Sequence, residues 1–208
     1  MIETATGIIL RTRPLTETSL IVNWLTAEQG RISTVAKGAR RPKSPFAGKL
    51  DLFYEAEFSF TRSKRSELHA LREVSLKETH APLRQDLGWL QQASYVTALI
   101  EQTTERETPL PGIHALLKGL LAHLPQHPPQ PRTIYAFELK LLEELGLHPE
   151  TEDTKLTTAT AELLTALTRS DWSELASLSA TAAQAKELRQ FLHGFLIYHL
   201  GKIPKGRP

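Results

Sequence analysis

The apolar residues change their spacing once along this chain, near Ala81 and Pro82, and no single layer of structure accommodates both patterns. Before that point they alternate, as on a strand; after it they recur at every third and fourth position, as on a helix. Ile8 and Leu10 alternate with Ile9 and Arg11, Leu20, Val22 and Trp24 alternate with Ile21, Asn23 and Leu25, and Ile32 to Val35 forms a third run. Leu52, Tyr54, Ala56, Phe58 and Phe60 then share one face, with Glu55, Glu57 and Ser59 opposite. After a polar T-R-S-K-R-S turn come Leu68, Ala70, Val74 and Leu76. Five short strands have to curl and close to remove their edges. The pattern predicts a five-stranded oligonucleotide-binding (OB) β-barrel, with an SH3-like barrel as a rival that periodicity does not separate.

Residues 82–208 read as an all-helical C-terminal domain, which makes the chain α+β with a boundary after residue 81. Helices are expected over Leu83 to Thr103, Ile113 to Leu124, Thr133 to Leu145, Glu162 to Leu167, Asp171 to Leu178 and Thr181 to Leu200. The third is apolar on two sides and therefore central, with Gly146 as its cap and Pro149 preventing its resumption. Ser170 or Asp171 is the expected cap of the fifth. His199 falls on the apolar stripe of the last helix and reads as a core residue, and the tail G-K-I-P-K-G-R-P reads as basic and frayed.

Charge divides at the same place. Residues 1–84 hold 14 Lys and Arg against 9 Asp and Glu, and the remainder holds 11 against 14. The excess concentrates in R-I-S-T-V-A-K-G-A-R-R-P-K-S-P-F-A-G-K, where Arg31, Lys37, Arg40, Arg41, Lys43 and Lys49 stand with no acidic residue among them. Pro42, Pro45, Gly38 and Gly48 keep most of this run out of helix or central strand, so it forms an exposed loop. Such a loop is either a solvated connection or an anion-binding surface. On a small barrel, its cations would neutralise phosphates and release counterions, with Arg11, Arg13, Arg62, Lys64 and Arg65 extending the patch. Phosphate contacts position a strand without reading its sequence, so weakly selective binding of single strands is expected.

Catalytic signals are sparse. The chain has no cysteine, which excludes disulfides and thiolate metal sites, and no nucleophile elbow, P-loop or H-E-x-x-H stands in a suitable context. His123 and His127 have ligand spacing, but Pro125 interrupts the helix between them. Glu143 and Glu144 are adjacent on a helix and cannot face each other. Trp24, Tyr54, Phe58 and Phe60 could stack bases, although their alternation reads more simply as core. No metal, cofactor or enzymatic activity is expected, nor any membrane span, and the N-terminus lacks a signal-peptide pattern.

Several segments carry a resemblance. G-I-I-L-R-T-R-P-L-T-E-T-S-L-I-V-N-W-L-T-A-E-Q-G-R-I-S-T-V-A-K-G-A-R-R-P-K-S resembles the N-terminal signature of the bacterial RecO family of recombination mediators. Y-A-F-E-L-K-L-L-E-E-L-G-L-H-P and F-L-I-Y-H-L-G continue the likeness in the family's order, and K-G-A-R-R-P-K-S is its most specific part. The resemblance implies a DNA repair and recombination role: binding of single- and double-stranded DNA and annealing of complementary strands. It also implies loading of RecA, with the partner RecR, onto DNA coated by single-strand binding protein. Lys37, Arg40, Arg41 and Lys43 stand where the family carries its DNA-contacting loop. Recognition of the C-terminal tail of single-strand binding protein by the helical domain, and a cytoplasmic, nucleoid-associated location, are further implications. Many relatives place a cysteine-rich zinc module after the L-G-x-x-P element; this chain continues L-H-P-E-T-E-D-T-K-L, so no zinc is expected. An RNA-binding barrel and a non-catalytic protein adaptor remain the alternatives.

Overall fold

A computed structural model describes residues 1–149 and 156–207. They form two compact units, residues 1–81 with 100–118 and residues 82–99 with 119–207. The first is built on strands β1 (Ile2–Pro14), β2 (Leu20–Thr26), β3 (Gly30–Ala36), β4 (Glu55–Thr61) and β5 (Leu68–Glu78). They close into a barrel in the order β1-β2-β3-β5-β4, with β1 also paired to β4. Every ladder is antiparallel except β3 with β5. This closed five-stranded arrangement is the OB fold.

β1 can serve two neighbours because it bends. A register shift lies between Ile9 and Arg11, and Gly7 pairs with Thr26 on one side and Ala56 on the other. A Cβ at Gly7 would lie 2.8 Å from the Leu25 carbonyl oxygen, so the approach of the strands requires glycine. Inside, Trp24 stacks on Phe58 with ring centroids 4.1 Å apart, Phe60 follows, and Phe46 enters from the basic loop. The Trp24 indole N–H donates to Thr34 Oγ1 at 2.9 Å, which satisfies the one polar atom that this ring buries. The strand aromatics Trp24, Phe58 and Phe60 are therefore core, and Tyr54 packs against them.

Ile8, Leu10, Ile21 and Leu25 are also buried, although their parity points them away from that core. The outer face of β1 and β2 is covered, and residues 100–118 return to the barrel. The Glu107 N–H donates to the Arg31 carbonyl (3.1 Å) and the Leu110 N–H to the Ala27 carbonyl (2.9 Å). Asn23 Nδ2 donates to Glu101 Oε1 at 2.8 Å. The sequence pattern shows helices here and gives no sign of this clasp.

The helices are α1 (Leu87–Thr103), α2 (Pro111–His123), α3 (Pro131–Glu144), α4 (Thr158–Arg169) and α5 (Ala182–Leu200). α3 is buried from Thr133 to Leu139 and again at Leu141 and Leu142, as its double stripe requires. Gly146, at φ 71°, ends it, and the Leu147 N–H closes back on the Leu142 carbonyl at 2.8 Å. Leu163, Leu164 and Leu167 of α4 and Leu188 and Leu192 of α5 pack on Tyr135, Ala136 and Leu139. Thr181 and Gln184 form a reciprocal capping box at the start of α5.

Three expectations are corrected. Asp171 to Leu178 contains only a 3-10 turn at Leu175–Ser177: the N–H groups of Glu174, Ser177 and Leu178 donate to carbonyls three residues back rather than four, and Arg132 caps the Ala176 and Leu178 carbonyls. His199 is exposed, since Leu188, Leu192 and Leu196 alone fill the buried stripe of α5. The tail is anchored at Arg207, which donates from Nε and Nη2 to the two carboxylate oxygens of Glu138, both at 2.7 Å. Residues 150–155, in the L-H-P-E-T-E-D-T-K-L stretch at which the resemblance raised the question of zinc, lie outside the described residues.

Candidate nucleic-acid interface

The basic loop follows β3 and is a chain of short turns. The N–H groups of Ala39, Arg41, Ser44, Ala47 and Lys49 each donate to the carbonyl three residues back. Gly38 and Gly48 both sit at φ 71°, which the turns need and which a side chain would resist. Phe46 is buried in the barrel core and anchors the middle of the run. At one end the Arg40 N–H donates to the Thr18 carbonyl at 3.0 Å, tying the loop to the β1–β2 turn. At the other, Ile9 of β1 bonds both ways, its carbonyl accepting from the Phe53 N–H and its N–H donating to the Tyr54 carbonyl, each at 2.9 Å. An aromatic between prolines and glycines was the visible signal for such an anchor, and Phe46 went unread.

This wiring leaves Lys37, Arg40, Arg41 and Lys43 exposed. Among the described residues none of the four is paired with a carboxylate. Lys49 is half-buried and lines a cleft of about 330 Å³ with Thr4, Pro45, Phe46, Ser59 and Arg72. Arg72 was not anticipated; it stands mid-strand on β5 and donates to Thr61 Oγ1 at 2.9 Å.

The remaining cations divide. Arg13 is exposed on β1, and Lys64 and Arg65 are exposed on the β4–β5 turn, where they line a shallow cavity of about 470 Å³ with Arg106 and His69. Arg11 pairs with Glu101 at 2.6 Å. Arg31 is half-buried and donates to the Thr104 carbonyl; desolvation pulls its pKa down, against the pull of Glu101 upward. Arg62 grips Glu3 through Nε–Oε1 (2.8 Å) and Nη2–Oε2 (2.9 Å) and reaches Glu107 Oε2 at 2.6 Å. These bonds, with Glu3 foremost, raise the Arg62 pKa, and the same bond from Arg62 holds Glu3 below the usual carboxylate range. The Ser63 N–H donates to His69 Nδ1, so the Nε2–H of His69 points to Glu107 Oε1 at 2.9 Å. Arg31 and Arg62 thus fasten residues 104–107 to the barrel.

Elsewhere the candidate ligand pair His123 and His127 packs as rings, with centroids 4.6 Å apart and Trp172 5.5 Å from His123. Among the described residues no group of three acidic, His or Cys side chains converges as a metal site, and no helix is long and apolar enough to cross a membrane.

Comparison with known proteins adds the family. Residues 1–80 match the family described as "Recombination protein O N terminal", and residues 84–154 and 150–208 match "Recombination protein O C terminal". A protein of Anaeromyxobacter dehalogenans (strain 2CP-C) named "DNA repair protein RecO" is 34% identical over 144 residues, covering 69% of this chain and 57% of that one. Proteins of the same name are 35% identical over 150 residues in Symbiobacterium thermophilum and 33% over 148 in Listeria monocytogenes serotype 4b. The chain spans little more than half the length of these relatives, 56–57%. With both family regions matched in order across nearly its whole length, on a barrel of the kind its strands imply, the chain belongs to the recombination protein O family.

Proposed function

We propose that this protein is a non-enzymatic mediator of DNA repair and recombination that binds single- and double-stranded DNA and anneals complementary strands. The observation that supports this reading most is the basic loop, whose four exposed cations have no acidic partner among the described residues, on an otherwise nearly charge-balanced chain. Two strands of dense negative charge repel, and a surface that neutralises their phosphates while leaving base edges open lowers the cost of their meeting. Pairing then drives the reaction, so no nucleotide cofactor is called for. In this reading residues 1–81 are the DNA-binding domain and 82–208 the helical domain. Lys37, Arg40, Arg41 and Lys43 make the main phosphate contacts, and Arg13, Lys49, Lys64 and Arg65 extend them. Arg11, Arg31 and Arg62, engaged within the fold, contribute less.

The same reading makes RecR, RecA-loading and the tail of single-strand binding protein the partners of this chain. A groove of about 570 Å³ on the helical unit suits an apolar, acidic tail, with Tyr135, Leu163, Leu167 and Leu188 as its floor and Lys186 and Arg189 on its rim.

The test is annealing of complementary oligonucleotides precoated with the cognate single-strand binding protein, at low and high salt. Acceleration that fades with salt and is lost on Lys37→Glu/Arg40→Glu/Arg41→Glu is expected. Unchanged annealing by that variant would remove the loop from the mechanism, and tighter binding to RNA than to DNA of the same sequence would favour an RNA module.

A further inference from the structure

We propose that the cleft beside the basic loop seats one nucleotide of a bound single strand and favours cytosine over thymine there. The loop contributes Pro45, Phe46 and Lys49 to this cleft, and β1, β4 and β5 contribute Thr4, Ser59 and Arg72. Its volume of about 330 Å³ lies at the small end of ligand pockets, which run to roughly 300–1,000 Å³, and gives room for one nucleotide rather than a run of them.

A β-bulge builds the site. Ser59 pairs with Glu73, and the next residue of β4, Phe60, pairs with Leu71, so Arg72 is one residue more than the ladder uses. The extra residue breaks the alternation of β5: Leu71 and Val74 are buried, while Arg72 and Glu73 between them are both exposed. A regular strand would point those two side chains to opposite faces; the bulge sets a cation and a carboxylate on one cleft. Arg72 Nε donates to Thr61 Oγ1 at 2.9 Å, which steadies the guanidinium, and its Nη groups have no partner among the described residues.

The charges select the occupant. Lys49 and Arg72 have no carboxylate partner among the described residues, and together they suit a phosphate. Two carboxylates line the same cleft: Glu57, which Lys77 takes at 3.0 Å, and Glu73, which has no cation of its own among the described residues. A plain anion offers Glu73 nothing. A nucleotide brings a phosphate for the cations and, on an amino-bearing base, N–H donors for the carboxylate. Cytosine carries its N4 amino group where thymine carries a carbonyl oxygen, so Glu73 discriminates between two bases of the same size. Lys49 ends the run that bears Lys37, Arg40, Arg41 and Lys43, which makes the cleft continuous with the loop. The proposal rests on the reading of that loop as a DNA contact, and it adds a base preference to a grip that is otherwise on phosphates.

The experiment titrates the full chain with short oligodeoxycytidylate and oligothymidylate of equal length, at mildly alkaline pH and low salt, and reads fluorescence anisotropy. Cytidylate should bind roughly fivefold tighter. Glu73→Gln, an isosteric change at an exposed position, should erase that preference by weakening cytidylate and tightening thymidylate, because the amide can donate to the thymine carbonyl. Arg72→Ala should weaken both by roughly twofold to fivefold and keep their ratio. Tightening of both alike in Glu73→Gln would mean that Glu73 only repels phosphate, and would overturn the base contact. Equal affinities of the unaltered protein, still lost on Lys37→Glu/Arg40→Glu/Arg41→Glu, would overturn the cleft and leave the loop reading standing. A cytidylate preference that persists at full affinity in that triple variant would do the reverse. Binding of neither oligonucleotide would overturn both. Deoxycytidine monophosphate that displaces cytidylate at an equal concentration of nucleotide would overturn the strand as occupant and assign the cleft to a free nucleotide.

Discussion

At Glu138 a carboxylate is fully buried, answered by the Arg207 guanidinium and by the Tyr95 hydroxyl at 2.5 Å. Burial and the neighbouring charge of Glu138 push the Tyr95 pKa up, so the phenol stays a donor. Removing one partner of such a pair leaves a bare charge in the interior, so Arg207→Ala should cost about 3–5 kcal/mol in urea unfolding. Adding Glu138→Gln should recover part of that loss, because the uncompensated charge is then gone. His123 makes a second, pH-dependent case. Burial first, then His127 and Arg132, press its pKa down to about 4. The unfolded chain protonates near the ordinary value of 6.5 while the folded one does not, so stability is intact above about pH 6.5 and falls as pH drops towards 4, by roughly 3 kcal/mol in all. His80 and His114, also lowered chiefly by burial, act in the same direction. In thermal melts His123→Gln should flatten the acid limb between those pH values. Neither cluster was legible in advance. Arg207 lay in a tail that composition reads as solvated, and Glu138 lies 69 residues away in sequence. A salt bridge of that span leaves no periodic trace.

The elements were legible where periodicity alone fixes them. Alternation of Ala56, Phe58 and Phe60 marks β4, and the double stripe of α3 marks the centre of the helical unit. Legibility failed where backbone groups meet partners distant in sequence. Arg132 caps two carbonyls of the 171–178 segment, which closes as a 3-10 turn, and the bonds from Glu107 and Leu110 to β3 and its preceding turn attach residues 100–118 to the barrel. That attachment depends on Gly30. It sits at φ 66°, and a Cβ there would lie 1.8 Å from the Thr108 carbonyl oxygen, so Gly30→Ala must displace the clasp. The substitution should destabilise the barrel by at least about 1–3 kcal/mol and expose residues 104–110 to limited proteolysis, while Gly48→Ala, with open space around it, should be milder. Equal protease resistance of the two variants would show that the clasp does not depend on that approach.

For the molecule as a whole, charge placement matters more than net charge. The sequence shows a cluster of cations but not which are already spoken for. Arg11, Arg31 and Arg62 look as available as Lys37 or Arg41 until Glu101, Thr104 and Glu3 are brought beside them by the fold. If Lys37, Arg40 and Arg41 each meet a phosphate, neutralising all three to Gln should flatten the dependence of log affinity for single strands on log salt by about 2, at roughly 0.7 per contact. Titrations at several ionic strengths read that slope, and a slope unchanged by the triple substitution would place the phosphate contacts elsewhere.

The loop that bears those cations is held by its own turns, by Phe46 in the core and by Thr18 at its flank. In the proposed reading a strand meets a backbone that is already in place, and little chain entropy is lost on capture. Encounter should then be governed by long-range attraction, fast at low salt, with residence time set by a few solvated ion pairs that separate readily. Such a grip would be quick to form and quick to release. Mismatched strands would part and be sampled again, and only those locked together by their own base pairs would remain joined.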